Sequence, residues 1–347
     1  METYPWAWYT DPEVFRREDE LIFRRSWHYV AHGGELPEPG TFAAARAGLT
    51  PVVLTRARDG GLNAFLNVCR HRGHPVAEGS GRRETLQCGY HGWTYGLDGS
   101  LRAAPRSDRE PGFEPDELCL RRAQVDAWGP FLFVNPSLDA PPLHDTLLDL
   151  PERVAAAGVE VDALEFRLRS QWETEANWKI ACENFLECYH CPVAHPGFSA
   201  MIDVSPDAYL LEAGPTYSTQ LAPLRPGGVN AYDPAGAVER GQFHFVWPGL
   251  AINIVPGRPN LSIGPVLPLA PGRTRRFLDY FFDPAADPGW VDDLLAFDNQ
   301  VGAEDTALVE GVQRGVAAGG LDRGTLLPRS EVLIADFQQR VAAALAA

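Results

Sequence analysis

Two short stretches of this chain, residues 69–75 (CRHRGHP) and 88–96 (CGYHGWTYG), decide how the rest of the sequence is interpreted. Each stretch offers one thiol and one imidazole, spaced as Cys-x-His in the first and Cys-x-x-His in the second. A [2Fe–2S] cluster with two cysteines on one iron and two histidines on the other needs this mixture of ligands. We therefore predict a cluster held by Cys69, His71, Cys88 and His91.

A structural zinc site with two cysteines and two histidines is the competing interpretation. Zinc fingers usually separate their cysteines by about two to four residues and place both histidines together on a helix. Here each stretch mixes Cys with His and is rich in glycine and aromatic residues, which is typical of two loops closing over a cluster. The cluster is therefore favoured. His74 precedes Pro75, which indicates a turn residue outside the ligand pairs.

Composition indicates a folded enzyme and argues against nucleic acid and anionic membrane surfaces as partners. The 347 residues are 45% hydrophobic and 22% charged, and the formal net charge is −16. No stretch approaches the roughly 18 apolar residues that cross a bilayer. No secretory signal is visible at the N-terminus, and six cysteines are too few for a disulfide scaffold of this length. We expect a cytoplasmic protein.

The apolar pattern predicts an α+β protein in which an all-β insert interrupts a mixed region. Residues 11–26 are predicted as a helix, with Asp11 as its cap and Pro12 at the first helical position. Short β-rich runs then alternate with Gly and Pro turns up to a proline-rich joint. The predicted domains are 27–140 for the cluster, and 1–26 with 141–347 for a catalytic unit. Further predicted elements are helices near 143–157, 176–190 and 288–318, and strands near 163–175, 208–222, 242–255, 261–268 and 274–283.

A second metal site is indicated on the predicted helix 176–190. Glu183, Glu187 and His190 recur there at intervals that put them on one helical face. His195 follows shortly after a proline that breaks the helix and can turn the chain back. A polar stripe on a largely apolar helix indicates a buried polar site.

The long helix near the C-terminus supplies a carboxylate for this site. Asp305 falls in the middle of an inward-facing apolar stripe, where a carboxylate is costly unless it is paired or binds a metal. Glu304 and Glu310 lie off the stripe, so we expect them to face solvent. The residues of the stripe are Phe297, Val301, Leu308 and Val312.

Two histidines and one carboxylate, His190, His195 and Asp305, leave open positions on iron(II), as in non-haem oxygenases. A zinc hydrolase could use the same ligand types. Because a hydrolase has no use for an electron from a cluster, iron is favoured. The alternative from another class is a non-catalytic electron carrier or redox sensor, which has no reason to place Asp305 opposite the two histidines.

Over nearly its whole length the chain resembles the catalytic α subunit of the Rieske non-haem iron oxygenases, the ring-hydroxylating oxygenase family. The resemblance rests on the two cluster stretches, on Asn-Trp-Lys…Glu-Asn-Phe-x-Glu-x-Tyr-His-x4-His from Asn177, and on Glu-Asp…Val-Gln-Arg-Gly ending at Gly315. Among the subgroups it is most similar to the choline monooxygenase, glycine betaine and carnitine oxygenase branch. One reason is Glu187, where many aromatic-ring dioxygenases have Asp.

This resemblance implies a helix-grip catalytic domain, which is an antiparallel sheet with a long C-terminal helix, and a homotrimer. The cluster of one subunit is expected to serve the mononuclear iron of its neighbour. By position, Glu187 is expected to bridge His91 of one subunit to His190 of the next, with Asn184 beside the iron ligands. The implied cofactors are the [2Fe–2S] cluster and mononuclear Fe(II), with O2 as cosubstrate. No Gly-x-Gly-x-x-Gly fingerprint follows a strand, so a separate NAD(P)H-dependent reductase, with or without a ferredoxin, is expected.

The predicted activity is hydroxylation or oxidative dealkylation of a small organic substrate, with aromatic-ring cis-dihydroxylation as the alternative. Residues 255–260 lack the Tyr and Trp expected of an aromatic cage for a quaternary ammonium group. With Arg258 turned inward, a carboxylate-bearing molecule would gain a charge-assisted hydrogen bond, so an aromatic or mid-sized carboxylated substrate is expected over a choline-like one. The residues expected around the substrate are Phe198, Met201, Phe243, Phe245, Trp247 and Arg258.

Overall fold

The computed structural model describes residues 1–346, which divide into two compact units. One unit is Phe23–Asp145, and the other joins Met1–Ile22 to the chain from Thr146 onward. The predicted boundaries at residues 27 and 140 lie inside the first unit. Antiparallel sheets and α-helices together confirm the predicted α+β class. Within residues 1–346, no helix combines the length and apolar character that a membrane crossing requires.

The N-terminal helix α1 (Pro12–Leu21) begins where the sequence predicts and ends earlier. The Asp11 side chain accepts a hydrogen bond of 2.7 Å from a backbone amide of the first turn, and a proline follows the cap. A 3₁₀ turn, Phe23–Arg25, replaces the last predicted turn. Ile22 and Phe23, where the helix ends, are both almost fully buried.

The unit Phe23–Asp145 is built from ten short strands. They are β1 (His28–His32), β2 (Thr41–Ala47), β3 (Thr50–Arg56), β4 (Leu62–Leu66), β5 (Ser80–Arg82), β6 (Thr85–Gln87), β7 (Thr94–Gly96), β8 (Leu101–Ala103), β9 (Arg122–Trp128) and β10 (Phe131–Asn135). Seven pair antiparallel in the order β1-β10-β9-β4-β3-β2-β5, and β6, β7 and β8 form a second sheet. The predicted cluster ligands all lie in loops, because the first stretch follows β4 and residues 88–93 of the second connect β6 to β7.

The other unit contains a seven-stranded antiparallel sheet and most of the helices. Its strands are β11 (Glu165–Thr174), β12 (Leu210–Ala213), β13 (Tyr217–Pro223), β14 (Arg240–Val246), β15 (Leu250–Ile254), β16 (Asn260–Ala270) and β17 (Arg273–Phe282). The helices after α1 are α2 (Leu143–Leu147), which spans the unit boundary, α3 (Leu150–Ala156), α4 (Trp178–Phe185), α5 (Cys191–Ala194), α6 (Pro196–Met201), α7 (Pro288–Ala317) and α8 (Val332–Ala346). The strand order is β11-β17-β16-β15-β14-β13-β12. Helix α7 packs Trp290 and Leu294 against side chains of β17, as the predicted helix-grip fold requires.

Three predicted elements are each two elements in the structure. The helix 143–157 is interrupted at Leu148, whose φ is 49°, so that α2 and α3 are separate. The strands 208–222 and 242–255 are the hairpins β12–β13 and β14–β15. Gly-Pro and Pro-Gly dipeptides lie in these hairpin loops, and both favour turns over continued strand.

Helix α4 is held by buried charged and polar groups from the N-terminal segment. Lys179 Nζ lies 2.5 Å from Glu18 Oε1, and neither side chain is exposed to solvent. The two carboxylate oxygens of Glu183 accept hydrogen bonds from the hydroxyls of Tyr4 at 2.6 Å and Tyr9 at 2.7 Å. Burial raises the pKa of Glu183, and these hydrogen bonds oppose that rise. The prediction that Glu183 shares a face with the metal site is therefore wrong, because its carboxylate is committed to this network.

Candidate metal sites

The two cluster loops have the same backbone geometry. In the first, the Cys69 amide donates to the His74 carbonyl at 2.8 Å, and the Gly73 amide donates to the Cys69 carbonyl at 3.0 Å. In the second, the corresponding bonds are 2.8 Å from the Cys88 amide and 3.1 Å from Gly92 to the Cys88 carbonyl. The two glycines have φ values of 78° and 71°, which favour glycine. Each loop therefore folds tightly around its cysteine.

These loops bring the four predicted cluster ligands together. Cys69 and Cys88 are buried, whereas His71 and His91 are exposed with ring centroids 4.5 Å apart. Sγ of Cys69 also lies 3.4 Å from the Tyr95 hydroxyl. Burial raises the pKa of Cys88, and the adjacent Cys69 adds to that rise. Two buried thiols beside two accessible imidazoles match a cluster with a thiolate-bound inner iron and a histidine-bound outer iron.

The chain leaves its helix before the second site, contrary to the predicted helix 176–190. Helix α4 ends at Phe185, and the Glu187 carboxylate accepts hydrogen bonds from the backbone amides of Tyr189 and His190. A continuing helix would need these amides for its own carbonyls, so the carboxylate stops it. Glu187 and His190 therefore share a turn and not a helical face.

Three side chains from different segments converge on one point. His190 precedes α5, His195 lies between α5 and α6, and Asp305 lies within α7. The two Nε2 atoms are 3.1 Å apart, and Asp305 Oδ1 lies 3.6 Å from that of His190 and 3.0 Å from that of His195. Ligand bonds of about 2.1 Å at right angles separate donor atoms by about 3.0 Å. Two of the three separations match this value and the third is longer, so the three atoms are close enough together to bind one metal ion, and His190, His195 and Asp305 would hold it.

A carboxylate contacts the other ring nitrogen of each imidazole in this triad. Nδ1 of His190 is hydrogen-bonded to Oε1 of Glu187, and Nδ1 of His195 lies 2.8 Å from Oε2 of Glu304. A carboxylate at Nδ1 holds the imidazole in the tautomer whose proton is on Nδ1, so that Nε2 is free to bind a metal. The prediction that Glu304 faces solvent is wrong, because the residue before Asp305 on α7 turns toward His195 and meets its ring.

Negative charge is concentrated where a cation would bind. The Asn184 side-chain amide donates to Asp305 Oδ1 at 2.7 Å. Burial alone raises the pKa of Asp305, but hydrogen bonds from His190, His195 and Asn184 hold it well below its usual range. Burial alone lowers the pKa of His190, but Asp305 and Glu187 raise it to about 9. A metal ion would replace the protons that these groups attract.

The buried positions of α7 shift to another side of the helix after Asp305. Leu308 and Val312, which the sequence predicts as buried, are 37% and 50% exposed, whereas Val309 is buried. The helix contacts the N-terminal turn Trp6–Tyr9 as well as the sheet. A single apolar stripe therefore does not describe its buried face.

A disulfide joins Cys188 and Cys191 on either side of His190. Both cysteines line the cavity beside the metal triad. The sequence analysis did not predict this pair, although the Cys-x-x-Cys spacing was the available signal. The bridge closes a short loop and does not amount to a disulfide scaffold.

A cavity of about 490 Å³ lies beside the triad. Its size suits a small organic molecule, and aromatic rings form much of its wall. The aromatic lining residues are Trp172, Phe185, Phe198, Tyr209, Phe243, Tyr280 and Phe297. The charged lining residues outside the triad are Glu173, Glu187, Arg276 and Asp298.

Phe198 and Phe243, both predicted to surround the substrate, line this cavity. Met201 does not, because it is fully buried in the hydrophobic core behind it. Arg258 is exposed in the turn between β15 and β16, and its guanidinium donates to the Ala285 carbonyl at 3.3 Å. The predictions for Met201 and Arg258 are therefore wrong.

Phe245 and Trp247 also lie outside this cavity. They line a separate small pocket and pack on Phe337 of α8, with ring centroids 5.7 Å and 5.8 Å from it. Alternation along β14 predicts a common face with Phe243, but α8 covers the end of the strand that carries Phe245. These two predictions are wrong because the sequence does not show where the C-terminal helix packs.

Sequence reasoning missed most of the cavity wall, because it comes from segments far apart in the chain. Trp172 on β11 and Arg276 on β17 are direct partners across the sheet. Asp298 lies two helical turns before Asp305 on α7, and this spacing puts both carboxylates on one side of the helix. That spacing was the signal that could have identified Asp298.

Comparison with known families defines the class of protein. Residues 26–121 match the Rieske [2Fe-2S] domain, and residues 161–347 match the catalytic domain of the ring hydroxylating alpha subunit. The chain belongs to the Rieske non-haem iron oxygenases, as a catalytic α subunit. It is therefore an oxidoreductase that uses a [2Fe–2S] cluster, a mononuclear iron and O2.

Two similar proteins are monooxygenases. The carnitine monooxygenase oxygenase subunit of Acinetobacter pittii is 34% identical over 322 residues, which cover 92% of this chain and 86% of that protein. The chloroplastic choline monooxygenase of Amaranthus tricolor is 31% identical over 324 residues, which cover 90% of this chain and 71% of that protein. Aromatic-ring dihydroxylation and a non-catalytic electron carrier are not favoured.

Solved structures give the same class. The quaternary ammonium Rieske monooxygenase CntA in complex with L-carnitine is 32% identical, with a TM-score of 0.84 over 99% of this chain and 95% of that one. Naphthalene 1,2-dioxygenase from a Rhodococcus species has a TM-score of 0.81 at 20% identity, which shows the shared fold alone.

Proposed function

We propose that the two sets of converging side chains are the ligands of the two metal centres. The matched geometry of the cluster loops supports the first set, and donor separations of 3.0 to 3.6 Å support the second. The cluster domain is then residues 27–140, and the iron domain is 1–26 with 141–347. The cluster ligands are Cys69, His71, Cys88 and His91, and the iron ligands are His190, His195 and Asp305.

Glu187 is proposed to connect the two centres between subunits of a homotrimer. Its Oε1 is hydrogen-bonded to Nδ1 of His190 and its Oε2 accepts from the backbone amides of Tyr189 and His190, so a bond from His91 of a neighbouring subunit would use a remaining lone pair of this carboxylate. Inter-subunit electron transfer is described for CntA, which supports this arrangement. A separate NAD(P)H-dependent reductase in the cytoplasm, with or without a ferredoxin, would deliver the electrons.

The substrate that the cavity supports best is a small quaternary ammonium compound. Aromatic faces attract such cations, and Trp172, Tyr209 and Phe243 from separate strands and a loop line the cavity. The Asp298 carboxylate, which accepts a hydrogen bond from the Tyr280 hydroxyl, adds a negative charge to the wall. The named activities of the relatives on carnitine and choline agree with this choice.

The proposed reaction hydroxylates a C–H bond next to nitrogen or oxygen. One oxygen atom of O2 enters the substrate as a hydroxyl group and the other leaves as water, and the reductase supplies two electrons while two protons come from solvent. The bound iron supplies the activation of O2. Glu187 and Glu304 orient the imidazoles, Asn184 orients Asp305, and the aromatic wall positions the substrate and excludes water. A hydroxyl group on a carbon bonded to nitrogen makes the C–N bond labile, which gives dealkylation.

Oxygen uptake and product analysis test this proposal. The holoenzyme would be supplied with electrons by a surrogate NADH-dependent reductase and offered L-carnitine, choline, benzoate or naphthalene. We expect product from a quaternary ammonium compound, with O2 uptake matched to product. Asp305→Ala is the control, because its O2 uptake measures the background consumption that does not depend on the iron site. Product from the aromatic compounds alone would contradict the proposed substrate class.

A further inference from the structure

The cavity contains a guanidinium group that no residue in the described part of the chain pairs with. Arg276 on β17 lines the cavity and is half-buried. Its Cζ lies 5.4 Å from the ring centroid of Trp172, which is a cation–π distance. Within residues 1–346 the Arg276 side chain forms no hydrogen bond and no ion pair. Contact with the face of a ring leaves the in-plane N–H groups of arginine available as donors.

Two other arginines of the same sheet are paired. Nη2 of the neighbouring Arg275, on the opposite face of the strand, lies 2.6 Å from Glu173 Oε1. Nε of Arg169 lies 2.6 Å from Asp279 Oδ1. The contrast identifies Arg276 as a donor group kept available inside the cavity.

One candidate partner for Arg276 in the cavity wall is already engaged. Asp298 lines the same cavity, but its carboxylate accepts the Tyr280 hydroxyl and does not pair with the guanidinium. Burial raises the pKa of Asp298, and the positive charge of Arg276 acts against that rise. The two groups therefore influence each other at a distance and present one negative and one positive charge to the cavity.

We propose that Arg276, supported by Trp172, binds a carboxylate of the substrate. The inference rests on the proposed function and narrows its substrate class to a zwitterion, which carries a carboxylate as well as a methylated nitrogen. A carboxylate matches the planar donors of arginine in two parallel hydrogen bonds. Choline carries no anionic group, so its binding would desolvate the guanidinium without a matching acceptor. The expected anion-binding arginine is thus Arg276, not the exposed Arg258.

The test compares γ-butyrobetaine with its methyl ester, in which a slightly larger neutral ester replaces the carboxylate. Binding to anaerobic holoenzyme would be measured by calorimetry for wild type, Arg276→Gln and Arg276→Lys. Arg258→Gln is the matched control, because it removes an exposed arginine that lies outside the cavity. The visible spectrum of the cluster reports whether each variant is folded and loaded.

We expect wild type to bind γ-butyrobetaine at least about 10-fold more tightly than the ester, from the usual strength of a charged hydrogen bond. Arg276→Gln should weaken the binding of γ-butyrobetaine by about 10- to 100-fold and leave the affinity for the ester nearly unchanged. Arg276→Lys should recover part of the loss, and Arg258→Gln should behave as wild type. The inference would be overturned if Arg276→Gln weakened the binding of both ligands equally, or if wild type bound γ-butyrobetaine and the ester with the same affinity.

A failure of the proposed function gives a different pattern. If no quaternary ammonium compound binds to wild type while benzoate does, the proposed substrate class is wrong. The role of Arg276 is then tested with benzoate against methyl benzoate in the same variants. A preference for benzoate that Arg276→Gln removes supports anion binding by Arg276, and a preference that persists overturns it.

Discussion

The two metal sites of this chain are built in opposite ways. Each cluster loop supplies its own thiol and imidazole within a few residues, and backbone hydrogen bonds inside the loop fix its shape. The mononuclear site takes Asp305 from α7, far in sequence from His190 and His195. The carboxylates that contact the two imidazoles come from Glu187 and Glu304. Short-range sequence is therefore sufficient for the first site, whereas the second depends on the packing of the catalytic unit.

Loss of a cluster thiolate should have the largest effect. We expect Cys88→Ser to abolish the visible and EPR signals of a Rieske cluster, because an alkoxide is a poor substitute for a thiolate, and to reduce turnover below detection. Spectroscopy of the purified protein checks this. Cys119→Ser is the control, since Cys119 is a free cysteine in the same unit and is only partly buried. An unchanged spectrum in Cys88→Ser would refute the cluster ligands.

Glu187→Gln should slow electron transfer between the two sites without removing the metal from either. We expect both metals to remain and the cluster still to accept electrons, while turnover falls by about 10- to 100-fold because the amide holds the two imidazoles only partly. Single-turnover kinetics on reduced protein, with substrate and O2, measures the rate at which the cluster is reoxidised. Normal reoxidation would show that Glu187 is not the connection.

Glu304→Gln should weaken the mononuclear site alone. The variant keeps the size of the side chain but loses the carboxylate at 2.8 Å from Nδ1 of His195, so iron affinity should fall by up to about 100-fold. Competition with a chelator measures this affinity, and the cluster spectrum should not change. Glu310→Gln on the same helix is the control. Equal iron affinity in both variants would leave Glu304 without the proposed positioning role.

The smallest effect is expected from the N-terminal network. Tyr9→Phe removes the hydroxyl that donates to the buried Glu183 carboxylate, which should destabilise the catalytic unit by about 1–3 kcal/mol. Urea unfolding followed by circular dichroism and by cluster absorbance measures the change. Tyr4→Phe combined with Tyr9→Phe should lower the stability further and release mononuclear iron before the cluster. Loss of both metals at one urea concentration would contradict separate support of the two sites.

Sequence alone could predict the local features and part of the distant ones. The cluster loops follow from residue spacing, because their ligands and turn glycines are contiguous. Asp305 could be found from helical periodicity, but Glu304 could not, since its contact depends on where His195 lies. The cavity wall was predicted poorly for the same reason. Trp172 and Arg276 meet only through strand register, and α8 covers Phe245, so neither contact leaves a local signal.

The most direct test of two separate metal sites is the ratio of iron to acid-labile sulfide in wild type and Asp305→Ala. A [2Fe–2S] cluster with one further iron predicts about three iron atoms and about two sulfides per chain in wild type. Asp305→Ala should contain about two of each, keep its cluster spectrum and lose turnover. Wild type with only about two iron atoms, or Asp305→Ala with all its iron and activity, would contradict a mononuclear site at His190, His195 and Asp305.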